Sequence, residues 1–213
     1  MVYSVHIPKC GGTSFRIWLQ SSFSGAVLFD YSKRWERSDA DALTERLFGK
    51  DCFHAHGAVD ALDDCPFSVT KVTWLRHPVD RVISYYNHIL RFGDQGNGYF
   101  RTVLEKEMGL LDFARLDWMR DGMTKYLCGK EQEFRFVGIL EKSQQCMPML
   151  CSALKMEQGF GRAVFDLPLE NSSRDICGYG ATEASVSVRE EIERCNVNDL
   201  ALYNAQLARL GLG

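Results

Sequence analysis

Residues 2–15 read VYSVHIPKCGGTSF, and the order of residue types in this stretch decides the fold. Val2 to Ile7 is a short run of strand character, Pro8 to Gly12 supply turn residues, and Thr13 to about Ser21 has the pattern of a helix. Strand, glycine-rich turn and helix make the first half of a β–α unit. At such a junction backbone N–H groups and the helix N-terminus converge, which favours an anion there. Gly11 and Gly12 let backbone approach closely, Lys9 adds a mobile positive charge, and Thr13 and Ser14 add hydroxyl donors. A glycine pair alone is equally an ordinary strand-to-helix turn. The lysine and two hydroxyls beside it move the reading toward phosphate.

Working outward, Ala26 to Phe29 is a second short apolar run. Ser38, with Asp41 three residues on, predicts a capping-box-like start for a helix carrying Leu43 and Leu47. Asp51 to His56 and Val69 to Leu75 read as further strands, and Pro78 suits a first helical turn. Beyond it Val79, Val82, Ile83, Tyr86, Ile89 and Leu90 share one helical face. Arg81, Ser84 and His88 fall on another, which the spacing leaves free for chemistry. Asn97 to Gly129 is helical but irregular, Phe134 to Leu140 is a buried strand, and Gln144 to Leu154 is a helix. Gly159 to Ser173 reads as a loop. Ser185 to Leu210 is helical with a break near Asn196 to Asn198, and Leu200, Tyr203, Leu207 and Leu210 form its core-facing stripe. This alternation predicts an α/β fold, three layers α/β/α around a mainly parallel central sheet, with a ligand site beyond the carboxyl ends of the strands. With 213 residues, 46% of them hydrophobic, one domain spanning 1–213 is expected.

A net charge of -3 supplies no global field to recruit nucleic acid or an anionic membrane, so an anionic ligand must be held by locally placed cations. No apolar run approaches the ~20 residues of a membrane span, and no basic-then-apolar leader precedes the first strand. These features predict a soluble, cytoplasmic chain; its oligomeric state is not encoded. The eight cysteines form no CxxC pair in a chain well above disulfide-scaffold size, so reduced thiols are expected. Cys52, His54, His56 and Cys65 have metal-capable atoms but not the common paired-ligand spacings, and no metal is predicted.

PKCGGTSF is not a Walker A segment, which needs its lysine after the glycines. It resembles the 5′-phosphosulfate loop of sulfotransferases dependent on 3′-phosphoadenosine 5′-phosphosulfate (PAPS), particularly the carbohydrate type that includes heparan sulfate 2-O- and 6-O-sulfotransferases. Cys10 stands where their usual loop has Thr. The resemblance implies a P-loop-like fold and PAPS as cosubstrate, with 3′-phosphoadenosine 5′-phosphate as product. It also implies that Pro8, Lys9, Cys10, Gly11, Gly12, Thr13 and Ser14 form the 5′-phosphate cradle, with Lys9 offsetting charge on the departing oxygen.

TWLRHPVDRVISYYNH resembles the same family's 3′-phosphate segment, implying that Arg76 and Ser84 grip that group; His77 stands where many relatives have Asp or Asn. Taken alone, Arg76 reads as a surface ion pair and Ser84 as a solvated helix position. HAHG places His54 and His56 at a strand end, where an imidazole titrating near neutral pH can take an acceptor's proton; a structural histidine is the alternative for each. The 2-O-sulfotransferases have a similar HxH element, which implies His56 as base and His54 as an assisting or substrate-binding group. PLENSSRD resembles the region that closes over the 3′-phosphate, implying Ser173 and Arg174, with an exposed flexible loop as the equal alternative. MTKYLCG, VGILE and NDLALY are weaker echoes. Lys33, Arg34 and Arg37 could meet an acidic polymer, although a solvated charged face is the commoner outcome.

The expectation is therefore sulfuryl transfer from PAPS to an acceptor hydroxyl, of a carbohydrate or a small metabolite. Two alternatives stand beside it. One is a Mg²⁺-dependent nucleotide kinase, for which Asp30 follows an apolar run as a metal-binding aspartate does; the other is a non-catalytic nucleotide-binding module.

Overall fold

The computed structural model describes residues 1–23, 26–156 and 184–213. Its strands are β1 (Val2–Val5), β2 (Val27–Trp35), β3 (Cys52–Gly57), β4 (Thr70–Leu75) and β5 (Phe134–Ile139). They hydrogen-bond in the order β2-β3-β1-β4-β5, every pair parallel. The helices are α1 (Gly12–Ser22), α2 (Ala40–Leu47), α3 (Pro78–Phe92), α4 (Gly98–Glu105), α5 (Leu110–Ala114), α6 (Gly122–Leu127), α7 (Ser143–Ala153), α8 (Val186–Cys195) and α9 (Val197–Leu210). Central β1 is buried at all four residues, and β3 and β4 at all but one each. Consecutive burial without alternation is the mark of a sheet covered on both faces, so the architecture is three-layered α/β/α.

The residues explain the elements. β4, TKVTWL, is rich in β-branched and aromatic side chains that suit a pleated surface. α3 starts with Pro78 at its first position and buries Val79, Val82, Tyr86 and Ile89. Two hydrophobic clusters result. One surrounds the sheet and includes Phe15, Trp18, Leu43, Phe53, Trp74 and Leu150. The other joins α3, α4, α5 and α8 through Val82, Ile89, Phe100, Phe113 and Ile192.

Several expectations need correction. β2 continues past Phe29 to Trp35, because Asp30 accepts hydrogen bonds from the backbone N–H and hydroxyl of Ser32 and the register shifts between Asp30 and Trp35. The capping box before α2 is Glu36 with Asp39, not Ser38 with Asp41. Arg81 does not sit on an open face of α3. It is buried, with its guanidinium against Gly122 and 3.7 Å from Met119 Sδ, whereas Leu90 is exposed. On α9, Tyr203, Leu207 and Leu210 pack against the core as the stripe predicts. Leu200 is only partly buried, and the polar Asp199 and Gln206 are buried instead because both find backbone partners. The seven described cysteines are unpaired, and no described helix is long and apolar enough to cross a membrane. The segment read as a loop over 159–173 lies outside the described residues.

Candidate active site

The carboxyl ends of all five strands open into one cavity of about 850 Å³. The turn after β1 contributes Pro8, Lys9, Gly11, Gly12, Thr13 and Ser14 to its wall. Arg76 enters from the end of β4, and Ser84 from the face of α3 two turns further on. His56 enters from the end of β3. The two motif segments, separated along the chain by more than sixty residues, thus share one cavity.

The turn is built for an anion. α1 begins at Gly12, its N-cap Gly11 has φ of 80°, a left-handed value that favours glycine, and no side chain caps the helix. The N–H groups of Gly12, Thr13 and Ser14 therefore lack the carbonyl partners that later helical residues have. Lys9 also adopts a positive φ, 70°, which turns its carbonyl to accept a hydrogen bond from Arg76 Nη1 at 3.2 Å. Burial, and then the neighbouring Arg76 charge, lower the Lys9 amine to about 8. Neither cation has a carboxylate ion-pair partner among the described residues. The carboxylates on the cavity wall are engaged elsewhere: Glu141 accepts from His77 N at 2.9 Å and from the Tyr203 hydroxyl at 3.3 Å, and Asp80 pairs with Arg189 at 2.9 Å. Two adjacent cations and a set of unpartnered N–H groups are a demand for negative charge.

The opposite wall carries the imidazoles. His56 Nδ1 lies 3.0 Å from the carbonyl oxygen of His6, and since a carbonyl only accepts, Nδ1 bears the hydrogen and Nε2 keeps a lone pair. Burial holds this ring below the ordinary histidine range, so it is neutral at pH 7. His54 is placed differently. It is buried off the cavity, its Nδ1 is 2.7 Å from Ser4 Oγ, and burial with the adjacent His56 lowers it to about 3. Its position does not give it access to a substrate. Cys10 likewise turns its side chain into the core, where burial raises the thiol to about 12, leaving only its backbone near the turn. Ser173 and Arg174 lie outside the described residues.

Sequence reasoning missed His6, Tyr31, Tyr85 and Tyr126, all of which line the cavity. Lys33 and Arg34 line it too; Arg34 lies over the Tyr126 ring at 4.8 Å, while Arg37 pairs with Asp64 outside the wall. His88 faces the cavity from α3, lowered to about 4 by burial and then by Lys9 and Arg91. Asp30 is not on the wall; it is tied to Arg46 at 2.6 Å and to Ser32. No group of three or more metal-capable side chains gathers among the described residues.

No protein-family model and no curated protein matches the chain. Among solved structures, the chain is similar to a sulfotransferase from Alicyclobacillus acidocaldarius: 17% identity, a TM-score of 0.48, covering 97% of this chain and 95% of that one. Likeness at that level says nothing about chemistry.

The cavity itself does. Its cationic end can hold and stabilise an anionic leaving group, its imidazole end can take a proton from a nucleophile, and Lys9 lines the same cavity as Arg76, His6 and His88, near enough for their charges to be felt. That is the equipment of a group transfer between an anionic donor and a protic acceptor.

Proposed function

We propose that the chain is a PAPS-dependent sulfotransferase, passing a sulfuryl group to a hydroxyl of a carbohydrate or small metabolite. The observation that carries this reading is the sharing of one cavity by two cationic stations: the Lys9 turn at the end of β1, and Arg76 with Ser84 at the end of β4. Two stations suit a nucleotide phosphorylated at both ends of its ribose better than a triphosphate chain laid along one loop. The kinase alternative loses its aspartate, since Asp30 is held by Arg46 away from the cavity.

In this reading the first N–H groups of α1 and the hydroxyls of Thr13 and Ser14 hold the 5′-phosphate, and Arg76 and Ser84 hold the 3′-phosphate. His56 Nε2 takes the acceptor's proton as the acceptor oxygen bonds to sulfur. The opposite S–O bond breaks, its electron pair stays on the phosphate oxygen, and Lys9 offsets the charge that develops there. No step passes through a metal.

Calorimetry with PAPS, 3′-phosphoadenosine 5′-phosphate and an analogue lacking the 3′-phosphate tests the cosubstrate. Loss of two charge-assisted contacts predicts roughly 30- to 100-fold weaker binding of the analogue. Equal affinity for all three would sink the assignment. Lys9→Ala should keep binding of 3′-phosphoadenosine 5′-phosphate within about tenfold while turnover falls by roughly a hundredfold or more.

A further inference from the structure

Three imidazoles meet at the acceptor wall, His6 and His56 lining it and His54 buried behind, and only His56 has a chemical role in the reading above. The parallel register sets Ser4 beside His54, and the next outward pair on the same face is His6 beside His56. Neighbouring strands lie about 4.8 Å apart, so their side chains stack. The His6 and His56 rings are 4.6 Å apart and within 18° of parallel, and His6 and His54 are 5.1 Å apart at 24°. Tyr31 stands edge-on to His6 and His56, at 5.3 Å from each.

His6 touches both halves of the site. Its carbonyl receives the Nδ1 hydrogen of His56. Its ring lies directly on the first residue of α1: a Cβ added to Gly12 would sit 1.9 Å from His6 Nε2. The ring's Nδ1 is buried without a hydrogen-bond partner among the described residues. An orphaned buried nitrogen opposes folding, so a hydrogen bond from Nδ1 does not account for the ring's placement; stacking and the fit against Gly12 do.

Building on the reading of His56 as proton acceptor, we propose that His6 is a positioning residue. Its imidazole, wedged between Gly12 and the His56 ring, holds that ring in the plane where Nδ1–H meets the His6 carbonyl and Nε2 faces the cavity. The wedge fixes the acceptor-side base against the helix end that carries the anion-binding N–H groups. Gly12 then has two duties, close approach to an anion and clearance for His6. The groups facing the wedge are His54 and His56 on β3, Tyr31 on β2 and Lys9 on the turn, and burial with the first two and Lys9 keeps His6 itself neutral.

The test reads the tautomer of His56 without any substrate. Long-range ¹H–¹⁵N spectra of the full chain, with His56→Ala supplying the assignment, should show wild-type His56 as a single Nδ1–H tautomer. In His6→Ala the ring is free to rotate, so the two nitrogen shifts should move toward each other and the titration midpoint of His56 should rise toward 6.5. kcat should fall at least about tenfold while the KM for PAPS changes less than about threefold. His6→Asn, flat and short enough to clear Gly12, should recover most of the tautomer and part of kcat, and His6→Ser, which puts no planar group against His56, carries the test if His6→Ala fails to fold. An unchanged tautomer, midpoint and kcat in folded His6→Ala or His6→Ser overturns the proposal. A His6-dependent tautomer in a chain that transfers no sulfuryl group would instead refute the function and leave the wedge standing.

Discussion

In the proposed transfer Lys9 and His56 must hold opposite protonation states within one cavity: the amine charged to meet a departing phosphate, the imidazole neutral to receive a proton. Burial works for one requirement and against the other. It lowers His56 below the ordinary histidine range, which keeps the base ready, and lowers Lys9 to about 8, which brings loss of its charge close to physiological pH. The free-enzyme profile of kcat/KM should therefore be a bell, with its acid limb below 6.5 and its alkaline limb near 8. Lys9→Arg, charged throughout, should keep the acid limb and lose the alkaline one, at reduced turnover. An alkaline limb that stays put in that variant assigns it to another group. The profile of kcat should extend further into alkali than that of kcat/KM, because a bound dianion beside Lys9 favours the charged amine.

At the scale of elements, α6 and α9 cap each other. Asp199, buried in the first turn of α9, accepts from Met123 N at 3.0 Å, Thr124 N at 2.7 Å and Thr124 Oγ1 at 2.8 Å, so it serves the open end of α6. Asp121, just before α6, accepts from Asn198 N at 3.0 Å and Asp199 N at 3.1 Å and serves the open end of α9. Asp199→Ala strands one buried and two part-buried donors and should lower stability by about 2–4 kcal/mol, seen as an earlier urea midpoint. Asp121→Ala, at the more exposed side, should cost about 1 kcal/mol. Equal effects would mean that burial does not set the value of these caps. α6 also carries Tyr126 to the cavity wall, so Asp199→Ala should raise the acceptor KM as well. MTKYLCG and NDLALY were legible as two separate patterns; that they form one joint was not, because Thr124 and Asp199 are 75 residues apart. The box before α2 failed for a different reason. Ser38 and Asp41 have the right types and spacing, but Glu36 and Asp39 do too once Glu is admitted as a cap, and sequence preference alone favours Ser.

At the scale of the whole molecule, strand order decides what could be read. Lys9, Arg76, Ser84 and His56 stand at strand ends or on the helix that follows, so local pattern finds them wherever the strands sit. His6 and Tyr31 join the site only because β1 and β2 flank β3, which no single segment reveals. The same order gathers histidines: His6, His54 and His56 stack on one face, and His88 faces the cavity from α3, so four of the chain's five histidines are held neutral by burial. Unfolding frees each to take a proton near 6.5, whereas the folded chain withholds it, down to about 4 for His88 and about 3 for His54. Stability is then full above 6.5 and falls as pH drops through that value, by about 1.4 kcal/mol per pH unit for each histidine that stays neutral. Carboxylates do not share this window, since Asp30 and Asp60 lie below 3.8 and keep their contribution until more acid still. The three strongly shifted rings, His6, His54 and His88, give a slope of up to ~4 kcal/mol per pH unit, against a total stability of order 5–15 kcal/mol. Urea midpoints should be level from pH 7 to 8 and drop steeply below 6.5. His88→Asn should remove about a third of the slope. A midpoint at pH 5 equal to that at pH 7.5 would show that the folded chain accepts those protons after all, and that burial does not hold these rings neutral.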